Sequence, residues 1–258
     1  MFSRHIGENG RVVIVTFVLV HGSFHGAWAW QRLIPLLEAV GHRAVAPNLP
    51  SSADDPAPLE DANLAGYVDR ICQAIDVEPD PVILVGHSMG GVVVTQAAEA
   101  RPERIRQLVY ICGFLLVDGE NLITFLDENK HLAGDELVLS GMTVAEDGRT
   151  ASFDPAVAQT VFYNTCSDAD ASWAASQLRP QPLAVYDDSV RISDARFGSV
   201  SRVYVETLRD HAIDPAYQKK MYNRTPCREI ITYDTDHSPF LSAPAKLAAT
   251  LTRLDQDS

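Results

Sequence analysis

The chain has 258 residues, of which 46% are hydrophobic and 21% charged, and its formal net charge at pH 7 is −13. This composition is typical of a globular protein with one large core, and an acidic chain lacks the basic face that nucleic-acid binding requires. No apolar run approaches the length that spans a bilayer, and four widely spaced cysteines form neither a disulfide scaffold nor a C-x-x-C pair. We therefore expect a cytoplasmic protein with reduced thiols and with neither a membrane nor a nucleic-acid partner.

The first half of the chain alternates between predicted strands and helices. Residues 12–20 form a near-continuous β-branched run, which predicts a buried strand, and residues 28–40 predict a helix that ends at Gly41. The chain reaches its first strand so early that we expect no N-terminal β-hairpin. The alternation predicts an α/β fold with a mostly parallel, doubly wound sheet. Its further strands are expected at 42–47, 81–85 and 104–112, and its further helices at 64–75 and 89–100.

The alternation stops over residues 114–199, where helical fragments are predicted at 153–163 and 169–178. An insertion of this size after the fourth core strand predicts a helical cap, or lid, over the strand ends. The regular pattern then resumes to the end of the chain, so we expect a single domain over residues 1–258. Its last elements are predicted as strands at 201–207 and 228–233 and helices at 215–222 and 243–254.

Residues 82–94 read VILVGHSMGGVVV and place Ser88 between a buried strand and a helix start. This G-x-S-x-G pattern predicts a nucleophile elbow, a strained turn that lifts the serine hydroxyl clear of the backbone. The N–H of Met89 then lacks an intrahelical acceptor and can face a developing oxyanion. The loop after the first strand is expected to supply a second donor, the N–H of Ser23. The alternative is a Gly-flanked serine in an ordinary βα loop.

A serine nucleophile needs a histidine base, which follows it in this kind of fold. The histidines that follow Ser88 are His131, His211 and His237. His131 falls in the predicted cap, and His211 directly follows a better acid candidate. His237 lies in DTDHSPFLS between the last strand and the last helix, at the sheet end that also carries the serine. We predict His237 as the base.

The base in turn needs a carboxylate that orients it, expected in the turn after the penultimate strand. Asp210 occupies that turn and is the predicted acid. Asp214 precedes a proline and is better explained as a helix N-cap, while Glu206 is still in the strand. Asp236 adjoins the histidine in sequence, which places it poorly for holding the far imidazole nitrogen.

A metal site or a bound cofactor is not expected. His21 and His25 have no third ligand at suitable spacing, so we assign them structural roles. The glycines near Ser88 are not accompanied by the lysine of a phosphate-binding loop.

Five sequence segments together carry a family resemblance that covers nearly the whole chain. They resemble the plant methyl esterase and hydroxynitrile lyase group of α/β-hydrolases. The resemblance implies an α/β-hydrolase fold, the triad Ser88, Asp210 and His237, the backbone donors Ser23 and Met89, and a possible homodimer. The segments are FVLVHGSFHGAWAW, VILVGHSMGGVVV, the turn from Val203 to Asp210, DHSPFLS, and the cap fragment VFYNTCSDADASWAASQLRPQPL.

Two positions distinguish the branches of this family. Its hydroxynitrile lyases have a threonine at the position of Gly22, which we place at the substrate site, and a lysine at the position of Ser238. Without that ammonium the leaving cyanide loses its electrostatic support. The expected function is therefore a serine carboxylic ester hydrolase that acts, like the methyl esterases, on a small apolar or aromatic ester. The alternatives are a lyase or decarboxylase and a non-catalytic small-molecule receptor.

Overall fold

A six-stranded parallel sheet forms the centre of the computed structural model, which describes residues 14–132 and 137–256. Every strand pairing in this sheet is parallel, which confirms the predicted doubly wound sheet. Its strands are β1 (Thr16–Val20), β2 (Arg43–Val45), β3 (Val82–His87), β4 (Ile105–Ile111), and, after three short strands elsewhere, β8 (Arg202–Thr207) and β9 (Glu229–Tyr233).

The order of the strands is β2-β1-β3-β4-β8-β9, so the chain reverses its direction of winding between β1 and β3. Ligands bind α/β sheets at such a switch point, beside the carboxyl ends of the two strands. Here Gly22 lies just beyond β1 and Ser88 directly after β3. The topology alone therefore brings these two loops together.

Both faces of the sheet are buried, as parallel sheets require. The helices that flank the sheet are α1 (Ile34–Ala39), α2 (Leu64–Asp76), α3 (Gly90–Ala100), α9 (Pro215–Arg224), α10 (Pro239–Ser242) and α11 (Pro244–Gln256). Along β3, Leu84 belongs to one hydrophobic cluster with residues of α2 and α3, while Ile83 and Val85 belong to the other with residues of α1 and α11. No helix in the described ranges is long and apolar enough to cross a membrane.

The segment from 114 to 199, which we call the cap segment, contains strands as well as the predicted helices. Its three short strands form a second, antiparallel sheet. The helix predicted at 153–163 begins only at Pro155, because residues 150–153 alternate between buried and exposed side chains and pair as a strand. The elements are helices α4 (Leu122–Asn129), α5 (Leu137–Gly141), α6 (Pro155–Phe162), α7 (Asp168–Gln177) and α8 (Ala184–Asp187), and strands β5 (Met142–Val144), β6 (Thr150–Phe153) and β7 (Gln181–Pro182).

The helix predicted at 28–40 is broken. A 3-10 turn covers Ala27–Trp30, and α1 begins at Ile34 with Pro35 in its first turn, because proline fits a helix start and not a helix interior. Gly41 ends this region with a φ of 97°, as predicted. Strand β1 begins at Thr16; the first residues of the predicted strand and the expected absence of an N-terminal hairpin lie outside the described residues.

The close contact between β1 and α3 is testable at Gly90. A Cβ at this position would lie 2.7 Å from the carbonyl oxygens of Val20 and His21, and backbone atoms cannot rotate away as a side chain can. We expect Gly90→Ala to lower the free energy of unfolding by about 1–3 kcal/mol in urea titrations. Gly198→Ala is the matched control, since its Cβ would meet its nearest atoms at an ordinary 3.4 Å. Equal stability of the two variants would contradict the packing described here.

Candidate active site

Ser88 occupies a sharp turn between β3 and α3. Its φ of 55° is uncommon for a residue with a side chain, so the surroundings must hold it in place. Its N–H donates to the oxygen of Ile111 at 3.3 Å, and its own oxygen accepts from the N–H groups of Gly91 and Phe114 at 2.9 and 3.0 Å. These three bonds secure the turn on both sides, and Ser88 remains 8% exposed.

Gly22 packs directly against this turn. A Cβ on Gly22 would lie 2.6 Å from the Cβ of Ser88 and 3.0 Å from Nδ1 of His87. Any larger residue at position 22, threonine included, therefore forces the turn or the loop to move. Gly22, which the sequence predicts to lie at the substrate site, therefore determines how closely the loop after β1 approaches the turn after β3.

His237 and Asp210 form a buried hydrogen-bonded pair. His237 lies in the loop after β9 and Asp210 in the turn after β8, and Nδ1 of the imidazole is 2.8 Å from Oδ2 of the carboxylate. The two side chains are 2% and 0% exposed. Since a carboxylate accepts, Nδ1 carries the proton and Nε2 is left as the acceptor.

The Asp210 carboxylate is saturated with donors. Oδ1 accepts from the N–H groups of Ala212 and Ile213, each at 2.8 Å. Besides the imidazole, Oδ2 accepts from the hydroxyl of Thr207 at 2.9 Å and from Nε2 of Gln218 at 3.2 Å. Such a set fixes the orientation of the carboxylate toward the histidine.

Gln218 was not identified from the sequence. It lies on α9, is fully buried, and also donates Nε2 to the oxygen of Ile213 at 2.8 Å while Oε1 accepts from the N–H of Thr207 at 3.0 Å. A glutamine on the inner face of an otherwise amphipathic helix was the available signal, because a buried amide must find partners. Its bonds hold the Asp210 turn in place.

Two further unpredicted residues hold the backbone of His237. His87, which precedes Ser88, donates Nε2–H to the oxygen of His237 at 2.8 Å, and the two rings lie 4.6 Å apart. The thiol of Cys112 donates to the same oxygen at 3.3 Å. Burial lowers the pKa of His87 and raises that of Cys112, so both side chains are uncharged at neutral pH. The base candidate is thereby tied to the nucleophile turn.

The ligand atoms of His87, Cys112 and His237 lie within 4.8 Å of one another, close enough for the three to hold a metal ion. In the structure Nδ1 of His237 is bonded to Asp210 and Nε2 of His87 to a carbonyl oxygen, while the buried Nδ1 of His87 has no hydrogen-bond partner within the described part of the chain. A metal that used Nδ1 of His237 would have to displace Asp210.

The two predicted backbone donors directly follow Gly22 and Ser88, the residues through which the two loops pack against each other. The N–H of Ser23 follows Gly22, and the N–H of Met89 follows Ser88. Within the part of the chain that the structure describes, neither N–H has an acceptor. Two unpaired N–H groups from loops that pack against one another are suited to bind an anionic oxygen.

His21 and His25 make structural hydrogen bonds. Nδ1 of His21 donates to the oxygen of Gly22 at 2.9 Å, and Nε2 accepts from the N–H of Leu49 at 3.2 Å. His25 bonds the oxygen of Ser23 at 2.7 Å. Burial lowers the pKa of His21 to about 4 and that of His25 to about 3, so both rings are neutral at pH 7.

The other histidines and acids considered as triad members are exposed or form hydrogen bonds with other groups. His131 and His211 are exposed. Asp214 caps α9 by accepting from the N–H of Ala216 at 2.8 Å, as predicted. Asp236 accepts from the N–H of Thr165 in the cap segment and from the hydroxyl of Ser242 in α10.

Comparison with known proteins gives consistent matches. The model of the "Alpha/beta hydrolase family" matches residues 17–250. Salicylic acid-binding protein 2 of Nicotiana tabacum is 33% identical over 91% of this chain and 95% of its own. Putative methylesterase 11, chloroplastic, of Arabidopsis thaliana is 29% identical over 90% of this chain, which spans only 61% of that relative's length. The crystal structure of polyneuridine aldehyde esterase superposes with a TM-score of 0.83 at 25% identity, over 94% of this chain and all of the other. These matches confirm the resemblance to plant methyl esterases.

The neutral buried histidines make stability depend on pH. Their folded pKa values lie below the ordinary 6.5, so the unfolded chain binds protons first as the pH falls. The stabilisation is complete above pH 6.5 and is lost progressively as the pH falls, down to about 4 for His21 and about 3 for His25, with each histidine adding a slope of up to about 1.4 kcal/mol per pH unit. We expect His25→Gln to reduce this slope in urea unfolding, whereas the exposed control His131→Gln retains it. A slope in His25→Gln equal to that of the unaltered protein would refute the assignment.

Proposed function

Since the chain belongs to the alpha/beta hydrolase family, we propose that it is a serine ester hydrolase of the methylesterase type, with Ser88, His237 and Asp210 as its catalytic triad. The observation that carries this proposal is the buried 2.8 Å bond between His237 and Asp210, at the sheet end where Ser88 occupies its strained turn. An imidazole fixed in this tautomer keeps Nε2 free to accept a proton.

In the first half of the reaction, the hydroxyl oxygen of Ser88 attacks the ester carbonyl carbon while Nε2 of His237 takes the hydroxyl proton. The carbonyl oxygen becomes an oxyanion, which the N–H groups of Ser23 and Met89 stabilise. Collapse of the tetrahedral intermediate breaks the bond to the alcohol oxygen. His237 returns its proton to that oxygen, and the alcohol leaves an acyl-enzyme behind.

In the second half, water attacks the acyl-enzyme and His237 again accepts a proton. The second tetrahedral intermediate collapses, the proton passes to Ser88, and the carboxylic acid is released. Asp210 accepts the Nδ1–H of His237 throughout and stabilises the imidazolium that forms twice per turnover.

We further propose that the substrate is a small ester with an apolar or aromatic acyl group. The ring of Phe162, from the cap segment, lies 5.7 Å from the imidazole of His237 and 6.3 Å from the ring of Phe24, so aromatic side chains surround the proposed base. Such surroundings favour an uncharged, apolar acyl group. The methylesterase names of the relatives support a methyl leaving group.

A cytoplasmic location and a homodimer complete the proposal. The four cysteines, Cys72, Cys112, Cys166 and Cys227, are all free thiols, which fits a reducing compartment. The dimer rests on the family resemblance, and size-exclusion chromatography with light scattering tests it directly.

Replacing Ser88 should remove turnover. We expect Ser88→Ala to lower kcat on p-nitrophenyl acetate by several orders of magnitude, and to abolish the initial burst of p-nitrophenol that reports acyl-enzyme formation. A screen of methyl esters of aromatic and aliphatic acids, scored by methanol release, then identifies the acyl group. Ser199→Ala, at an exposed serine remote from the site, is the matched control and should retain full activity.

Three results would overturn the proposal. Full turnover by Ser88→Ala would exclude this nucleophile. Saturable binding of small aromatic acids without any burst would indicate a receptor. Release of aldehyde from a cyanohydrin, or of carbon dioxide from a β-keto acid, in the absence of ester turnover would indicate a lyase or decarboxylase.

A further inference from the structure

The loop that carries the proposed oxyanion donor, residues 22–25, is itself strained. Phe24 has a φ of 64°, in the left-handed region that residues with a side chain rarely occupy. Phe24 is also 4% exposed, so water does not satisfy its backbone. A strained, buried loop keeps its shape only if neighbouring groups fix it.

The cap segment holds both backbone groups of Phe24. The N–H of Phe24 donates to Oε1 of Gln181 at 3.1 Å, and its oxygen accepts from the N–H of Arg179 at 3.0 Å. Gln181 is 1% exposed, and its own Nε2 donates to the oxygen of Pro182 at 2.7 Å, which fixes the orientation of the amide. The peptide that follows Ser23 is therefore clamped from the cap segment.

The cap segment also holds the side chain of Ser23. The hydroxyl of Tyr186 donates to Oγ of Ser23 at 2.6 Å. The oxygen of Ser23 accepts from Nδ1 of His25, whose Nε2 in turn accepts from the hydroxyl of Tyr163 at 2.8 Å. Side chain and carbonyl of Ser23 are thus both engaged, and its N–H is the group left to bind a ligand.

We infer that Tyr186 and Gln181 are positioning residues, through which the cap segment sets the direction of the Ser23 N–H in the oxyanion hole. This inference rests on the proposed function. Neither side chain touches the reacting atoms: Tyr186 acts through the hydroxyl of Ser23, and Gln181 through the backbone of Phe24. Their contribution is therefore made to the anionic transition state and not to the binding of the neutral ester.

The experiment is a double-mutant cycle on p-nitrophenyl acetate with Tyr186→Phe, Ser23→Ala and the double variant. Both substitutions keep the Ser23 N–H and remove the hydrogen bond between Tyr186 and the Ser23 side chain. Because deleting a whole oxyanion donor costs about 10²–10³ in kcat, we expect misdirecting one to cost about tenfold, with KM within about twofold. The double variant should be no slower than the slower single variant, since both break the same bond.

An oxyanion mimic separates positioning from a merely structural role. An aryl trifluoromethyl ketone adds to Ser88 and leaves an oxyanion in the hole, so its Ki should rise about as much as kcat falls. Gln181→Met is the second variant and should show the same pattern. Tyr110→Phe is the matched control: it removes another buried tyrosine hydroxyl, bonded to Thr95 at 2.7 Å, and should leave kcat and Ki unchanged.

The inference is overturned if Tyr186→Phe and Gln181→Met keep the kcat and Ki of the unaltered protein, if they change KM alone, or if the effects of Tyr186→Phe and Ser23→Ala add. Thermal unfolding of each variant identifies losses that come from unfolding, which would lower the active fraction without changing Ki. Ser88→Ala distinguishes the two levels: if it is inactive while Tyr186→Phe is unaffected, the proposed function stands and only the positioning role fails.

Discussion

A buried carboxylate beside a buried imidazole is the constraint on which the rest of this site depends. An unpaired charge in such a place is very costly, so Asp210 requires a full set of donors and His237 requires a fixed tautomer. The fold meets both needs with the turn after β8, the inner face of α9 and the loop after β9. Much of the polar structure at this end of the sheet follows from that requirement.

The parallel sheet brings these parts together, because the loops after β1, β3, β8 and β9 all lie at the carboxyl ends of its strands. Ser88 and Gly22 meet at the point where the winding reverses, and His87 and Cys112 link the nucleophile turn and the end of β4 to the backbone of His237. In the proposed site the cap segment holds the loop of residues 22–25, which carries the Ser23 N–H. The proposed nucleophile, base and oxyanion donors are therefore each fixed from a different part of the chain.

The sequence could predict what depends on local pattern. The alternation of apolar runs predicts the sheet, and the positions of the loops after the last two strands predict the pairing of Asp210 with His237. Contacts between separate elements could not be predicted in this way: Gln218 on α9 supports Asp210 in the turn after β8, and Cys112 reaches His237 across 125 residues. The short strands of the cap segment were missed because two to four residues carry too little periodicity to outweigh neighbouring helical signals.

Covalent labelling tests whether the Asp210–His237 pair activates Ser88 as a nucleophile. The protein is incubated with a fluorophosphonate, and the adduct is located by intact mass and peptide mapping. We expect one adduct per chain, on Ser88, and a labelling rate at least about a hundredfold lower in His237→Ala, on the order of the losses seen when a triad residue is removed. An adduct on another residue, or labelling of Ser88 at an undiminished rate in His237→Ala, would contradict this activation.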